Sequence, residues 1–266
     1  MENIKKRTSV RTYADQEIPK EIFDQLKSFT KDIEKSCGYQ YRFPIINSKL
    51  DGKVGTYGVI SGANYYICGI VKKDDHSLVE LGYFFEKIII FATSLDLGTC
   101  WLGGTFNRDE FSNKAKLKEN EKFIVATPIG YRSDKKSIRE RAMRKMAKSD
   151  NRIAFEELFF DKYLTPLSKQ GLEIYKEALE MVRIGPSASN KQPWRMIKDG
   201  DLYHLYLART PNYAKELGYD IQLLDMGIAK YHFEYALKKN EIKGSWILQE
   251  KHPQYENLEY ISTWIY

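Results

Sequence analysis

Gly185-Pro186-Ser187-Ala188-Ser189-Asn190-Lys191-Gln192-Pro193-Trp194 is the stretch on which the reading of this chain turns. It follows Leu172, Tyr175, Leu179 and Val182, whose spacing of 3, 4 and 3 predicts one face of a helix. Gly185 suits the end of that helix. Ser187 and Ser189 suit the start of a new turn, with hydroxyls and backbone amides open to a ligand. Pro193 and Trp194 then impose extended backbone and anchor it with a large ring. A purely structural turn uses such residues too, but so many small and amide-bearing side chains between two apolar elements favour a binding loop.

Working outward, the chain repeats itself. Leu81-Gly82 to Trp101-Leu102 predicts a buried helix, a loop at Leu97-Gly98-Thr99-Cys100, and a strand entered at Trp101. A shift of 145 positions sets Gly82 over Gly227, Ile88 over Phe233, Leu97 over Ile242 and Trp101 over Trp246. Ahead of each copy stands an amphipathic helix candidate, Pro19 to Phe29 in the first and Leu172 to Val182 in the second. Each is followed by a strand candidate, Asn64 to Val71 and Leu202 to Ala208. Three matches in the same order point to a duplication, with halves at 1–152 and 153–266. Asn107 with Glu110 predicts a capped helix, and Phe123 to Ile129 a strand ending at Gly130.

Bulk properties narrow the classes. A chain of 266 residues, 42% hydrophobic and 29% charged, can bury a large core and is not of disordered or fibrous composition. No secretory signal core follows the basic start, and Ile88 to Ala92 is far short of the roughly 20 apolar residues a membrane span needs. Cys37, Cys68 and Cys100 form no CxxC pair, and His76, His204, His232 and His252 are scattered. A cytoplasmic protein with buried thiols and no metal site is expected. Much of the net charge of +6 lies between Arg132 and Arg152, a stretch read as a solvated linker helix. Its sparse aromatic residues argue against nucleic acid as a partner.

Two further groups carry chemistry. In an extended Arg7-Thr8-Ser9-Val10-Arg11, the side chains of Arg7, Ser9 and Arg11 face together. Two guanidiniums and a hydroxyl suit a phosphate monoester, since arginine donates paired hydrogen bonds and keeps its charge; a frayed basic terminus is the alternative. Leu102-Gly103-Gly104, taken alone, reads first as a simple strand-end turn, though glycines without side chains would also let backbone approach a ligand closely.

Taken together, these motifs resemble those of the FMN-dependent nitroreductase family. Pro-Ser-x-x-Asn-x-Gln-Pro-Trp at Pro186 to Trp194 is similar to the family signature. Arg-x-Ser-x-Arg at Arg7 to Arg11 is similar to its phosphate-binding segment. Leu97 to Gly104 is similar to its glycine-containing turn beside the flavin N5 and O4 edge. The resemblance implies FMN contacts at Arg7, Thr8, Ser9, Arg11, Leu102, Gly103 and Gly104, and at Pro186, Ser187, Ala188, Ser189 and Asn190. It also implies a basic residue at the phosphate, best matched by Arg152 and next by Lys148.

The family's dimer motifs are split here between the halves. Cys37-Gly38-Tyr39-Gln40 has lost the signature, and Asp161 to Thr165 has lost the phosphate segment. The resemblance therefore implies an α+β nitroreductase-like fold of two related halves. Each half has a central antiparallel-type sheet flanked by helices, and the two pack as a pseudo-dimer with one FMN per chain. A monomer is expected.

The implied activity is NAD(P)H-driven two-electron reduction of a nitroaromatic, quinone or related acceptor by a ping-pong route. The flavin does the chemistry and no side chain is catalytic. An FMN-binding storage or sensor protein without turnover is the competing reading.

Overall fold

The computed structural model describes residues 1–73, 77–134 and 151–266. His76 and residues 135–150 of the basic connector, Lys148 among them, lie outside the described residues. The chain divides into two compact units drawn by packing and not by chain order. An amino-terminal unit comprises Lys6–Ser77 and Lys87–Met146. A carboxy-terminal unit comprises Met1–Lys5, Leu78–Glu86 and Ala147–Tyr266.

The amino-terminal unit is built on an antiparallel sheet in the order β1 (Tyr41–Arg42), β3 (Tyr65–Lys72), β5 (Glu121–Gly130), β4 (Gly98–Thr99), with β2 (Ile45–Asn47) also on β3. β3 and β5 are buried almost end to end, as expected of central strands with residues packed on both faces. On one side Ile46, Tyr66, Cys68, Phe106, Phe111 and Phe123 form a continuous core. Helix α2 (Lys20–Ser36) buries Leu26, Thr30 and Ile33 at helical spacing, and its Phe29 ring stacks on Phe91 at 3.9 Å. Helix α4 (Arg108–Lys114) starts as the sequence predicts, with the Asn107 side chain accepting from the Glu110 amide.

The carboxy-terminal unit carries a second sheet, β6 (Phe159–Asp161), β7 (Trp194–Asp199), β8 (Leu202–Leu207), β10 (Glu259–Ile265), β9 (Ser245–Ile247). All its pairs are antiparallel except β6 with β7, which the antiparallel expectation did not include. Helices α5 (Glu173–Arg183) and α6 (Ile221–Lys239) belong to the same unit. Tyr175 on α5 stacks on Tyr203 at 4.6 Å, and Phe233 on α6 meets Tyr203 and Trp264. Most of α6 is buried, so the polar side chains it buries must find internal partners.

Helix α3 (Leu78–Ser94) has its first nine residues, Leu78–Glu86, in the carboxy-terminal unit and the rest in the other. One element was not foreseen, and one local expectation is corrected. A short helix α1 (Glu2–Lys6), with Ile4 buried, precedes the extended Arg7 segment. The strand after α3 ends at Thr99 rather than starting at Trp101, because the Cys100 amide turns to the Thr127 hydroxyl at 3.0 Å. No helix among the described residues is long and apolar enough to cross a membrane. Cys68 and Cys100 are buried free thiols, while Cys37 is only half-buried.

Candidate functional site

In the amino-terminal unit the phosphate-type segment lies along the sheet edge. Ser9 bridges Thr99 in parallel, the Val10 amide donates to the Thr99 carbonyl at 2.8 Å, and the Ser61 amide donates to the Arg11 carbonyl at 2.9 Å. Buried Val10 is the hinge of this packing, because a Cβ on Gly98 would fall 2.8 Å from its Cγ2. With Val10 turned inward, alternation puts Ser9 and Arg11 on the other side of the segment. Arg7, Ser9 and Arg11 are half-buried and Thr8 is exposed. The Nε and Nη1 atoms of Arg11 are sealed from solvent and have no hydrogen-bond partner among the described residues. Buried donors of a permanent cation are costly to leave unmade, so this arrangement fits an anionic group such as the FMN phosphate.

The same strand edge leads into the glycine turn. Leu102 exchanges two backbone hydrogen bonds with Ala126, at 2.8 and 3.0 Å, and Gly103 and Gly104 follow in a bend. Arg108 holds that bend from behind, donating Nη2 to the Gly103 carbonyl at 3.2 Å and Nη1 to the carbonyls of Phe123 and Ile124. Its guanidinium lies over the Phe106 ring. Sequence reasoning missed Arg108. The signal was a cation at the first position of α4, where the helix dipole disfavours it and some other partner must hold it.

In the carboxy-terminal unit, Pro186, Ser187, Ala188 and Asn190 are half-buried and Ser189 is exposed, in a turn that follows α5. Ser189, Asn190 and Gln192 all have left-handed backbones, with φ of 47°, 55° and 49°. Three such non-glycine residues within four positions persist only if their surroundings over-determine them. They are so determined here: the Gln192 amide donates to Ser187 Oγ at 2.8 Å, the Ile153 amide to Gln192 Oε1 at 3.0 Å, and Tyr213 Oη to Ser189 Oγ at 2.8 Å. Arg152 joins them, donating Nη1 to Asn190 Oδ1 at 2.9 Å and Nη2 to the Ile184 carbonyl at 3.2 Å.

Beneath the turn, Asp225 Oδ1 accepts from the Ala188 amide at 2.9 Å. His232, fully buried, hydrogen-bonds the Met181 carbonyl through Nδ1 and Glu86 through Nε2. Neither residue was expected. Their signal is the set of polar side chains, Gln222, Asp225, Lys230 and His232, set among the apolar residues of the buried helix α6.

Each unit thus brings together its own share of the expected residues. In the first, Ser9 and the Val10 amide join Thr99 of β4 while Leu102, ahead of Gly103 and Gly104, pairs with Ala126 of β5; in the second, Arg152 bonds Asn190 and the Ile184 carbonyl at the end of α5. Among the described residues no cluster of His, Cys, Asp or Glu could hold a metal ion.

Two antiparallel-rich sheets, each in its own helix-bearing unit, with an arginine-serine strand edge and a strained serine-asparagine turn, define a mixed α+β protein of nitroreductase type. Residues 1–237 match the family described as "Putative TM nitroreductase", and the chain belongs to that nitroreductase family, a family of oxidoreductases whose members bind FMN. A crystal structure of a "putative nitroreductase" from Thermotoga maritima is 19% identical, covers 99% of this chain and 90% of that chain, and superposes with a TM-score of 0.56. That likeness shows the fold.

An FMN-dependent nitroreductase from Clostridium difficile R20291 is 22% identical over 51% of this chain and 88% of that chain, with a TM-score of 0.41. A nitroreductase with bound FMN from Desulfitobacterium hafniense DCB-2 is 16% identical over 51% and 89%, with a TM-score of 0.42. No curated protein matches.

Proposed function

We propose that the chain is an FMN-dependent oxidoreductase that takes electrons from NAD(P)H and passes two of them to a nitroaromatic, quinone or related acceptor. The observation that carries this reading is Arg11. It belongs to an arginine-serine segment on the same sheet as the Gly-Gly turn, and two of its guanidinium nitrogens are buried without a hydrogen-bond partner among the described residues. Bound FMN would supply the two-electron chemistry itself.

This chain's own residues then have binding tasks. Arg7, Ser9 and Arg11 hold the phosphate, Leu102 to Gly104 offer backbone amides to the ring edge, and Pro186 to Asn190 supply a turn rigid enough to need no reorganisation on binding. Arg152, through Asn190, fixes the far end of that turn. Its reach is toward Asn190 and Ile184, so we assign it to the loop in preference to a phosphate contact. The two halves, 1–152 and 153–266, act as a fused pair with one FMN per chain.

The test is a visible absorption spectrum of the purified protein after FMN addition and desalting, then anaerobic NADPH and NADH. Flavin bands retained near one FMN per chain and bleached by either nucleotide support the proposal. Bands retained but never bleached turn the reading to an FMN storage or sensor protein, and no retained flavin overturns it.

A further inference from the structure

Asp225 sits in the interior of α6, 3% exposed, with its carboxyl under the Pro186 to Asn190 turn. Oδ1 accepts the Ala188 amide, and Oδ2 is sealed from solvent with no hydrogen-bond partner among the described residues. An ionised carboxylate in that place would need a cation or several donors to offset its lost hydration. It has one amide.

The charged side chain that acts on it is another carboxylate, Asp220 at the start of α6, which is itself paired with Arg209. From the segment ahead of α6 it is faced by the Tyr213 phenol, whose hydroxyl is engaged with Ser189. The turn offers serine, alanine and asparagine. Burial accordingly pushes the Asp225 carboxyl well above the usual carboxylate range. The matching position of the repeat, Glu80, 145 places earlier, is treated differently: it ion-pairs with Lys230 at 2.6 Å.

We propose that Asp225 is a positioning residue that works as an un-ionised acid: Oδ1 latches the Ala188 amide, and the O–H on Oδ2 is a spare donor for an uncharged acceptor atom of the bound ligand. The inference rests on the reading of the turn as part of an FMN site. The ligand atom it suits is a carbonyl oxygen or an unprotonated ring nitrogen. Asparagine reproduces both roles, with a carbonyl acceptor and an N–H donor and no charge, whereas alanine has neither.

The test compares the full-length wild type with Asp225→Asn and Asp225→Ala. In the apoprotein at neutral pH, difference infrared spectroscopy should show a protonated-carboxyl C=O band in the wild type that Asp225→Asn lacks. The stability of Asp225→Asn relative to wild type should rise as pH rises above the unfolded aspartate value of about 3.9. Asp225→Asn should hold FMN as the wild type does, and Asp225→Ala, which strands a buried amide, should hold it on the order of tenfold to a hundredfold more weakly.

A missing infrared band together with FMN loss in Asp225→Asn would overturn the inference. If the wild type takes no FMN at all, the functional reading fails. The infrared and pH arms still decide the state of Asp225, and Asp225→Asn decides it even if Asp225→Ala does not fold.

Discussion

Gly82 on α3 and Gly227 on α6 meet backbone to backbone: a Cβ on Gly82 would lie 2.2 Å from the Leu224 carbonyl oxygen, and one on Gly227 would lie 2.0 Å from that of Val79. Gly82 and Gly227 stand 145 positions apart, and so do Val79 and Leu224. Residues related by the sequence shift therefore touch each other reciprocally, the contact rule of a two-fold interface. This supports the proposal that the chain is a fused pair.

It also makes a prediction of sign. Glycine to alanine inside a helix normally stabilises by up to about 1 kcal/mol. Gly82→Ala and Gly227→Ala should instead destabilise by about 1–3 kcal/mol or more, because backbone on the facing helix cannot yield. Urea unfolding of the two variants decides it, and a stabilised variant would remove the close contact from the account.

Arg11→Ala should weaken FMN binding by roughly ten- to a hundredfold, since charge-assisted hydrogen bonds are worth about 1.5–3 kcal/mol. The fold should survive, because the segment is held by backbone bonds from Val10 and Ser61 that the substitution leaves in place. Arg11→Lys should fall between, keeping charge but not the planar fork. Isothermal titration with FMN, beside a circular dichroism spectrum, measures both. Unchanged affinity in Arg11→Ala would take the phosphate away from this segment.

Much of the fold was legible because its signals are local. The period of Pro19 to Phe29 and of Leu172 to Val182 marks α2 and α5, and Asn107 with Glu110 marks the start of α4. The Pro186 to Asn190 turn was legible from its composition alone. Its supports were not. The Ala188 amide and Asp225 are 37 positions apart, and His232 reaches Met181 across 51 and Glu86 across 146. Such pairings depend on how helices are laid against one another, which period and propensity do not encode. The early end of β4 has the same origin, a side-chain acceptor on Thr127 that diverts the Cys100 amide from the ladder.

His204 gives the carboxy-terminal unit an acid-sensitive point. It is 1% exposed, Nδ1 is 2.7 Å from Thr263 Oγ1, and Nε2 is buried without a partner among the described residues. Burial lowers its pKa from the ordinary histidine value. The unfolded chain then takes up a proton near pH 6.5 that the folded protein resists, so stability falls as pH drops below about 6.5 and keeps falling down to the folded pKa. His204→Asn should lose less stability than wild type between about pH 7.5 and about pH 5. Equal losses, read from urea midpoints, would mean that other groups carry the acid sensitivity.

Arg108 separates the support of the glycine turn from the ligand contacts themselves. Its guanidinium caps the carbonyls of Gly103, Phe123 and Ile124 and lies over Phe106, so it ties the bend after β4 to the strand β5 beside it. Removing it leaves those carbonyls to water or to nothing, at a cost of about 1–3 kcal/mol if they stay buried. Arg108→Ala should therefore lower stability and also weaken FMN, though by less than Arg11→Ala, because the turn's amides survive and only their placement loosens. Arg108→Lys should recover part of the stability through one donor and little of the FMN affinity, since one ammonium cannot span three carbonyls. Urea unfolding and FMN titration on the same preparations give both numbers. A variant that loses stability yet binds FMN as tightly as wild type would show that the Gly103 bend has no part in holding the ring.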